Sequence, residues 1–186
     1  MNLYLRVLLV LIASFFKPKT RDMLQTFKLR LHVLPNDLDT NMHMNNGRYA
    51  TIMDLGRFDM ILRNGLMRLM IDQKSVPILS ALSVRYRIPL HAFEPYDLET
   101  RVLCWDDKWV FMEQRFVLVK GPKAGAVAAI ALLKGGFYDQ KRKTTVPTAD
   151  LMKALGVEAH SPPVPDYVLQ WQKSEESLRA VTAEAA

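Results

Sequence analysis

Polar and apolar residues alternate in steps of two over five stretches of this chain, and the period lengthens to a helical one over a sixth. Met23 to Val33 sets Leu24, Phe27 and Leu29 among Gln25, Lys28 and Arg30, and reads as a first strand. Pro35, Asn36 and Asp37 end it with turn residues. The next segment, LDTNMHMNN from Leu38 to Asn46, is too polar for a strand and too poor in glycine and proline for a simple turn. From about Asn46 to Arg63 the pattern is helical. Tyr49, Ile52, Met53, Gly56 and Met60 fall on or near one face, while Arg48, Thr51, Asp54, Asp59 and Arg63 lie mainly elsewhere. Asn45 or Asn46 is placed to cap its first turn and Asn64-Gly65 to stop it. A mid-helix glycine costs about 1 kcal/mol relative to alanine. Gly56 therefore predicts a helix that approaches a sheet too closely to allow a side chain.

Four more strands are predicted after a short linker: Pro77 to Leu90, Tyr96 to Trp105, Lys108 to Lys120 and Ala126 to Gln140. Asp106-Asp107 and the Gly121, Pro122, Gly125 cluster supply the turns between them. Pro147 to Leu155 predicts one short helix, and the tail from Glu158 is rich in proline, serine and glutamate, with Trp171 as a docking point. A sheet with one apolar face must be covered, and the long helix is the cover. The class is α+β, and pattern alone admits either a sheet wrapped round the helix or a generic α+β sandwich.

Leu3 to Phe16 is apolar except at Arg6 and Ser14, and falls short of the roughly 20 residues that a spanning helix needs. Bulky Phe15 and Phe16 stand where a signal-peptide cleavage site would need small residues. Two readings stay open: a helix that dips into a membrane, or one that packs on the domain or a partner subunit. Lys17, Lys19 and Arg21 follow the run and, in the first reading, keep the domain on the cytoplasmic side. The expected organisation is an apolar segment over residues 1–20, a domain over 21–157 and a tail over 158–186.

Composition narrows the chemistry. The 186 residues suffice for one domain with a real core, and the net charge of +6 is modest and scattered. With one cysteine and four histidines, the chain has neither a disulfide framework nor the spacings of a zinc site, and Cys104 reads as a buried inert thiol. No zinc-finger, Walker or dinucleotide motif is present, and no nucleic-acid partner is expected.

The stretch PNDLDTNMHMNNGRY, Pro35 to Tyr49, with Asp37, Asp39, His43, Asn45, Asn46 and Tyr49, falls where a strand gives way to the long helix. It resembles the opening motif of the 4-hydroxybenzoyl-CoA thioesterase-like branch of the hot-dog superfamily. The apolar N-terminus is similar to that of the membrane-associated Them-six-like members. The resemblance implies a hot-dog fold, hydrolysis of an acyl-CoA or acyl-carrier thioester, and a homodimer or dimer of dimers with sites at subunit interfaces. No cofactor is implied, coenzyme A being part of the substrate. It assigns Asp39 as nucleophile or general base and the amides of Asn46 and Gly47 as donors to the thioester oxygen. The family turn often carries glycine just before the histidine position, where this chain has Asn41 and Met42.

Read as chemistry, that assignment needs a carboxylate near the carbonyl carbon, donors at the developing oxyanion and an apolar slot for the chain. A helix N-terminus supplies free amides and a positive field. His43 is a candidate acid–base or an orienting group for Asp39. Asn45 is a candidate for substrate contact or for fixing the turn. Tyr49, Ile52 and Met53 are candidates for the acyl slot, and Arg85 and Arg87 for the phosphates of CoA. Asp37 and Asp39 are equally the residues that caps and turns use. A non-catalytic acyl- or lipid-binding module and an acyl dehydratase using His43 are the alternative functions.

Overall fold

The computed structural model describes residues 3–156 and 160–184. Its centre is one long helix, α2 (Asn46–Asn64), laid across an antiparallel sheet. The strands are β1 (Phe27–His32), β2 (Ser75–Tyr86), β3 (Pro95–Trp105), β4 (Val110–Leu118), β5 (Val127–Asp139) and the short β6 (Thr144–Thr145). They run in the order β1-β3-β4-β5-β2, with β6 on β5. This is the hot-dog arrangement, a curled sheet round a helix.

Alternation along the strands makes the core. Tyr96, Leu98, Thr100 and Val102 of β3 are buried at every second position, whereas β4 is buried continuously from Val110 to Gln114 and then at Phe116 and Leu118. The register slips between Val102 and Cys104, so Cys104 joins a second cluster with Phe111 and Val168, against which Trp171 also packs. Burial pushes the Cys104 thiol up to about 11, which keeps it protonated and inert.

Gly56 behaves as its position predicted. A Cβ there would lie 2.6 Å from Thr100 Oγ1, 2.7 Å from Gln114 Nε2 and 2.8 Å from Leu98 Cδ2. The helix backbone lies directly against the sheet's side chains at that point. Gln114, fully buried, spans the contact by donating to the Met53 carbonyl (3.0 Å) and to Thr100 Oγ1 (2.8 Å).

Several elements differ from the pattern reading. β1 begins at Phe27, not Met23, because Asp22 caps the Leu24 amide and folds the chain there (2.8 Å). β2 starts at Ser75 and ends at Tyr86. The amides of Arg87 and Ile88 then share one carbonyl, Ala128, and regular pairing stops. The linker after Gly65 holds a helix, α3 (Leu66–Gln73), entered through Gly65 in the left-handed conformation (φ 90°). The short helix α4 (Thr148–Leu155) matches. The tail is helical too, as α5 (Asp166–Glu184), with Val168 fully buried at its start. The expected boundary at 157/158 lies outside the described residues.

The N-terminal run forms α1 (Tyr4–Phe16) and packs along α2. Its inward residues are Arg6, Val10 and Ser14. Lys17 holds its far end to buried Asp59 (2.7 Å), and Lys19 donates to the Leu62 carbonyl (3.3 Å). Tyr4, Leu5, Leu8, Leu9, Ile12, Phe15 and Phe16 face outward. Among the described residues no helix is long and apolar enough to cross a membrane.

Candidate active site

The polar segment ahead of α2 folds as a small hairpin. The Asp39 amide donates to the His43 carbonyl (2.8 Å) and the Met42 amide to the Asp39 carbonyl (3.1 Å). Leu38 bridges Met44, and His43 bridges His91. Met42 takes a positive φ of 60°, the conformation that a family glycine would adopt without cost. The turn thus closes with methionine in place of glycine.

Asp39 is half-buried. Its Oδ1 accepts from the amides of Asn41 (2.9 Å) and His43 (3.3 Å). Oδ2 accepts no hydrogen bond from the described residues. The carboxylate is therefore held by the turn through one oxygen and free at the other. His43 reaches Asp39 through its amide, while its ring stands edge-on to His91 with centroids 4.8 Å apart.

At the helix start, Asn45 is the cap, its Oδ1 accepting from the Gly47 amide at 2.8 Å. This corrects one expectation: Gly47 already spends its N–H on the cap and is not a free oxyanion donor. The Asn46 amide has no acceptor among the described residues and remains the open donor. The Asn46 carbonyl accepts from the Tyr86 hydroxyl (3.1 Å), which ties the start of α2 to the end of β2.

Asp37 does different work. Its carboxylate is fully buried and takes Arg6 Nη2 at 2.5 Å, Arg48 Nη2 at 2.7 Å and the Leu34 amide at 2.9 Å, while its carbonyl receives the Asn45 amide at 2.8 Å. Burial pushes its pKa up, but the Leu34 amide and the two guanidiniums outweigh that and hold it below the ordinary carboxylate value. Arg6 and Arg48 were not singled out by sequence. The one available signal was a lone arginine in an otherwise apolar run.

The acyl-slot candidates are not brought to an opening. Tyr49, Ile52 and Met53 are buried in the core, with Tyr49 edge-on to Tyr86 (5.0 Å) and Phe116 (4.8 Å). Burial and the neighbouring Tyr86 and Glu94 push the Tyr49 hydroxyl up to about 12, so it stays protonated. These side chains pack because they sit at or before the Gly56 contact, where helix and sheet are closest. The open space lies further along. A cavity of about 360 Å³ runs between the second half of α2 (Leu55, Phe58, Met60), the sheet (Ile78, Met112, Phe137) and the inner face of α1 (Leu3, Val7). Asp54 and Arg57 are its charged lining, paired with each other, and Arg57 also donates to Gln114 (3.0 Å). Gly135 and Gly136 line it without side chains.

Arg85 and Arg87 are exposed, and Arg87 donates to the Val127 carbonyl (3.2 Å). They flank Tyr86, and along β2 the Arg85 side chain lies on the opposite strand face from Tyr86, whose hydroxyl reaches the Asn46 carbonyl. Lys108 and Lys134 both stack over Trp109, at 4.9 and 5.5 Å. No cluster of metal-ligating side chains occurs among the described residues.

The carboxylate and the open helix-start amide lie in one short segment, the apolar cavity lies further along α2, and residues 33–172 match the model of the thioesterase-like superfamily. The chain belongs to that superfamily. Its hot-dog fold and its opening motif are those of the 4-hydroxybenzoyl-CoA thioesterase-like branch. Protein THEM6 of Xenopus laevis is 33% identical over 181 residues, covering 95% of this chain and 84% of the relative. Protein THEM6 of Drosophila melanogaster is 28% identical over 171 residues, covering 91% and 84%. Among solved structures, the probable thioesterase YbaW of Escherichia coli superposes with a TM-score of 0.63 at 20% identity, over 69% of this chain and 94% of that one. The Staphylococcus aureus protein SAV2348, solved in complex with CoA, superposes with a TM-score of 0.61 at 12% identity, over 81% and 96%. The superfamily match begins at residue 33, after helix α1 and strand β1.

Proposed function

We propose that this member of the thioesterase-like superfamily hydrolyses acyl-CoA thioesters, with Asp39 as nucleophile or general base and the Asn46 amide as donor to the oxyanion. The observation that carries the reading is the pairing of a half-exposed carboxylate, one oxygen unspent, with an unspent amide at a helix start in the same short segment. The turn amides fix the orientation of the carboxylate, and the helix field favours negative charge at the amide. A thioester whose oxygen faces Asn46 presents its carbonyl carbon to Asp39 Oδ2. Attack and water addition release free CoA and the carboxylic acid. Coenzyme A enters as part of the substrate, and Arg85 and Arg87 are the candidate phosphate contacts.

The acyl cavity and the chemistry come together in a dimer. β2 is an edge strand, paired with β5 on one side. Two-fold antiparallel pairing of β2 with a second copy reverses it, so that the Tyr86 end of one subunit meets the Pro77–Leu79 end of the other. Tyr86 holds the start of α2, and Pro77, Ile78 and Leu79 line the cavity. Each reacting centre then stands beside the other subunit's apolar cavity. The outward face of α1 suits in-plane contact with a membrane surface.

The test is hydrolysis of short, medium and long acyl-CoAs by the purified protein, with Asp39→Asn alongside. A fall in kcat of about 10²-fold or more is expected, in the range for loss of a general base. Equal rates for the two proteins overturn the role of Asp39. A second reading, acyl binding without turnover, is favoured by the use of Asp39 Oδ1 as a turn cap. Saturable acyl-CoA binding with no product would select it.

A further inference from the structure

Helix α1 lies ahead of the superfamily match, yet it reaches the candidate site through one side chain. Arg6 is the single charged residue between Tyr4 and Phe16, and it points inward while seven large apolar or aromatic neighbours point outward. It is 7% exposed and Asp37 is 0% exposed. Its Nη2 lies 2.5 Å and its Nη1 3.3 Å from the two carboxylate oxygens of Asp37, and Nη2 also reaches the His32 carbonyl at 3.3 Å. A membrane tether gains nothing from burying a guanidinium, which is costly unless it is paired and hydrogen-bonded.

Asp37 is where three parts of the site are tied together. Its carboxylate holds the Leu34 amide at the end of the β1 segment, Arg48 in the first turn of α2, and Arg6 of α1. Its carbonyl takes the amide of Asn45, the cap residue of α2. Asp39 follows two residues later, with its carboxylate in the turn and its backbone in the hairpin. The distance between Asp39 and the Asn46 amide is thus set by bonds that start at Asp37 on one side and Asn45 on the other.

We infer that Arg6 is a positioning residue for the reaction: it fixes Asp37, and through it the spacing between the Asp39 carboxylate and the start of α2, so that α1 is part of the catalytic unit and not only an attachment. This rests on Asp39 being the reacting group. Its physical half, control of the hairpin by Arg6, stands on geometry alone.

The experiment compares the full-length protein with Arg6→Met, which keeps length and packing but removes the guanidinium, and with Val10→Ala, which loosens the same helix at a buried apolar position away from Asp37. Hydrogen exchange and steady-state hydrolysis of a medium-chain acyl-CoA are read on each. Arg6→Met is expected to speed amide exchange over residues 38–46 at least tenfold, with β3 and β4 unchanged. It is expected to lower kcat about tenfold, with KM within twofold. Val10→Ala is expected to lower the melting temperature and leave both readouts as in the parent. Parental hairpin exchange and kcat in Arg6→Met overturn the inference, as do equal effects from Val10→Ala. If Arg6→Met does not fold, Arg6→Lys gives the same readouts with about threefold effects, and parental values there overturn the inference equally. If the parent turns over no thioester, the proposed function fails while the exchange data still decide whether Arg6 controls the hairpin.

Discussion

Around the first turn of α2 almost every neighbour is polar and fixed by a hydrogen bond: the Asn45 cap, the Asp37 carboxylate with its two arginines, the Tyr86 hydroxyl on the Asn46 carbonyl. Around the second half of the same helix the cavity of about 360 Å³ has a mainly apolar lining, with the Asp54–Arg57 pair as its charged part. Gly56 separates the two regions by closing helix onto sheet. One end is therefore rigid and directional, as a reacting group requires, because hydrogen bonds have preferred geometries. The other is shaped but undirected, as an alkyl chain requires, because burial of apolar surface has no preferred orientation.

The polar end is broken most severely at its hub. Asp37→Ala leaves two arginines facing a buried gap, and a loss of about 3–5 kcal/mol is expected, the cost of removing one partner from a buried pair. Urea unfolding at neutral pH measures it. The sign in acid follows from the lowered pKa of Asp37. A carboxyl with a depressed folded-state pKa contributes stability above its unfolded pKa, near 3.8, and that stability is lost as pH falls through the lower folded-state value. The parent therefore loses part of its stability below about pH 4, and Asp37→Asn, already weaker at neutral pH, loses less over that interval. An identical acid slope in the two proteins contradicts the ion-pair assignment.

The divider itself is tested next. Gly56→Ala improves helix propensity, yet its methyl would meet Thr100, Gln114 and Leu98 within 2.8 Å. A net destabilisation of about 1–3 kcal/mol is expected from overpacking, and a more stable variant would show that the helix backbone is not pressed against these sheet side chains. At the apolar end, Val7→Phe projects a ring from α1 into the cavity. The longest accepted acyl-CoA is then expected to lose about tenfold in kcat/KM relative to the next shorter, the scale for one methylene in an apolar pocket. An unchanged chain-length profile removes this cavity from the substrate path. The smallest effect belongs to Tyr96, whose buried hydroxyl has no partner among the described residues. Tyr96→Phe is expected to raise stability by up to about 1 kcal/mol, since an unsatisfied buried polar group is costly. Calorimetry at neutral pH reads the sign.

Much of the frame was legible in the chain. The helix from Asn46, the glycine at its sheet contact, the Gly65 stop and the later strands follow from period and turn chemistry. Helix α3 was missed because LMRLM offers no polar punctuation after Gly65, and α5 because its Pro-rich approach resembles a loose tail. For the site, the motif singled out Asp39, Asn46 and Gly47 as candidates, but it could not tell that the Gly47 amide serves the Asn45 cap. Nor could it tell that Tyr49, Ile52 and Met53 pack as core, since the same apolar face lines a cavity on one side of Gly56 and fills the core on the other.

By itself the sequence determined the long helix α2, the later strands and the place of the Asp37–Tyr49 motif ahead of that helix, because periodicity, caps and turns act over a few residues. Only the tertiary structure decided that the apolar N-terminal run docks along α2, that its one arginine is spent on Asp37, and where the open volume lies. Those facts depend on contacts between residues some thirty positions apart. Local pattern carries no information about which buried charge will meet which partner.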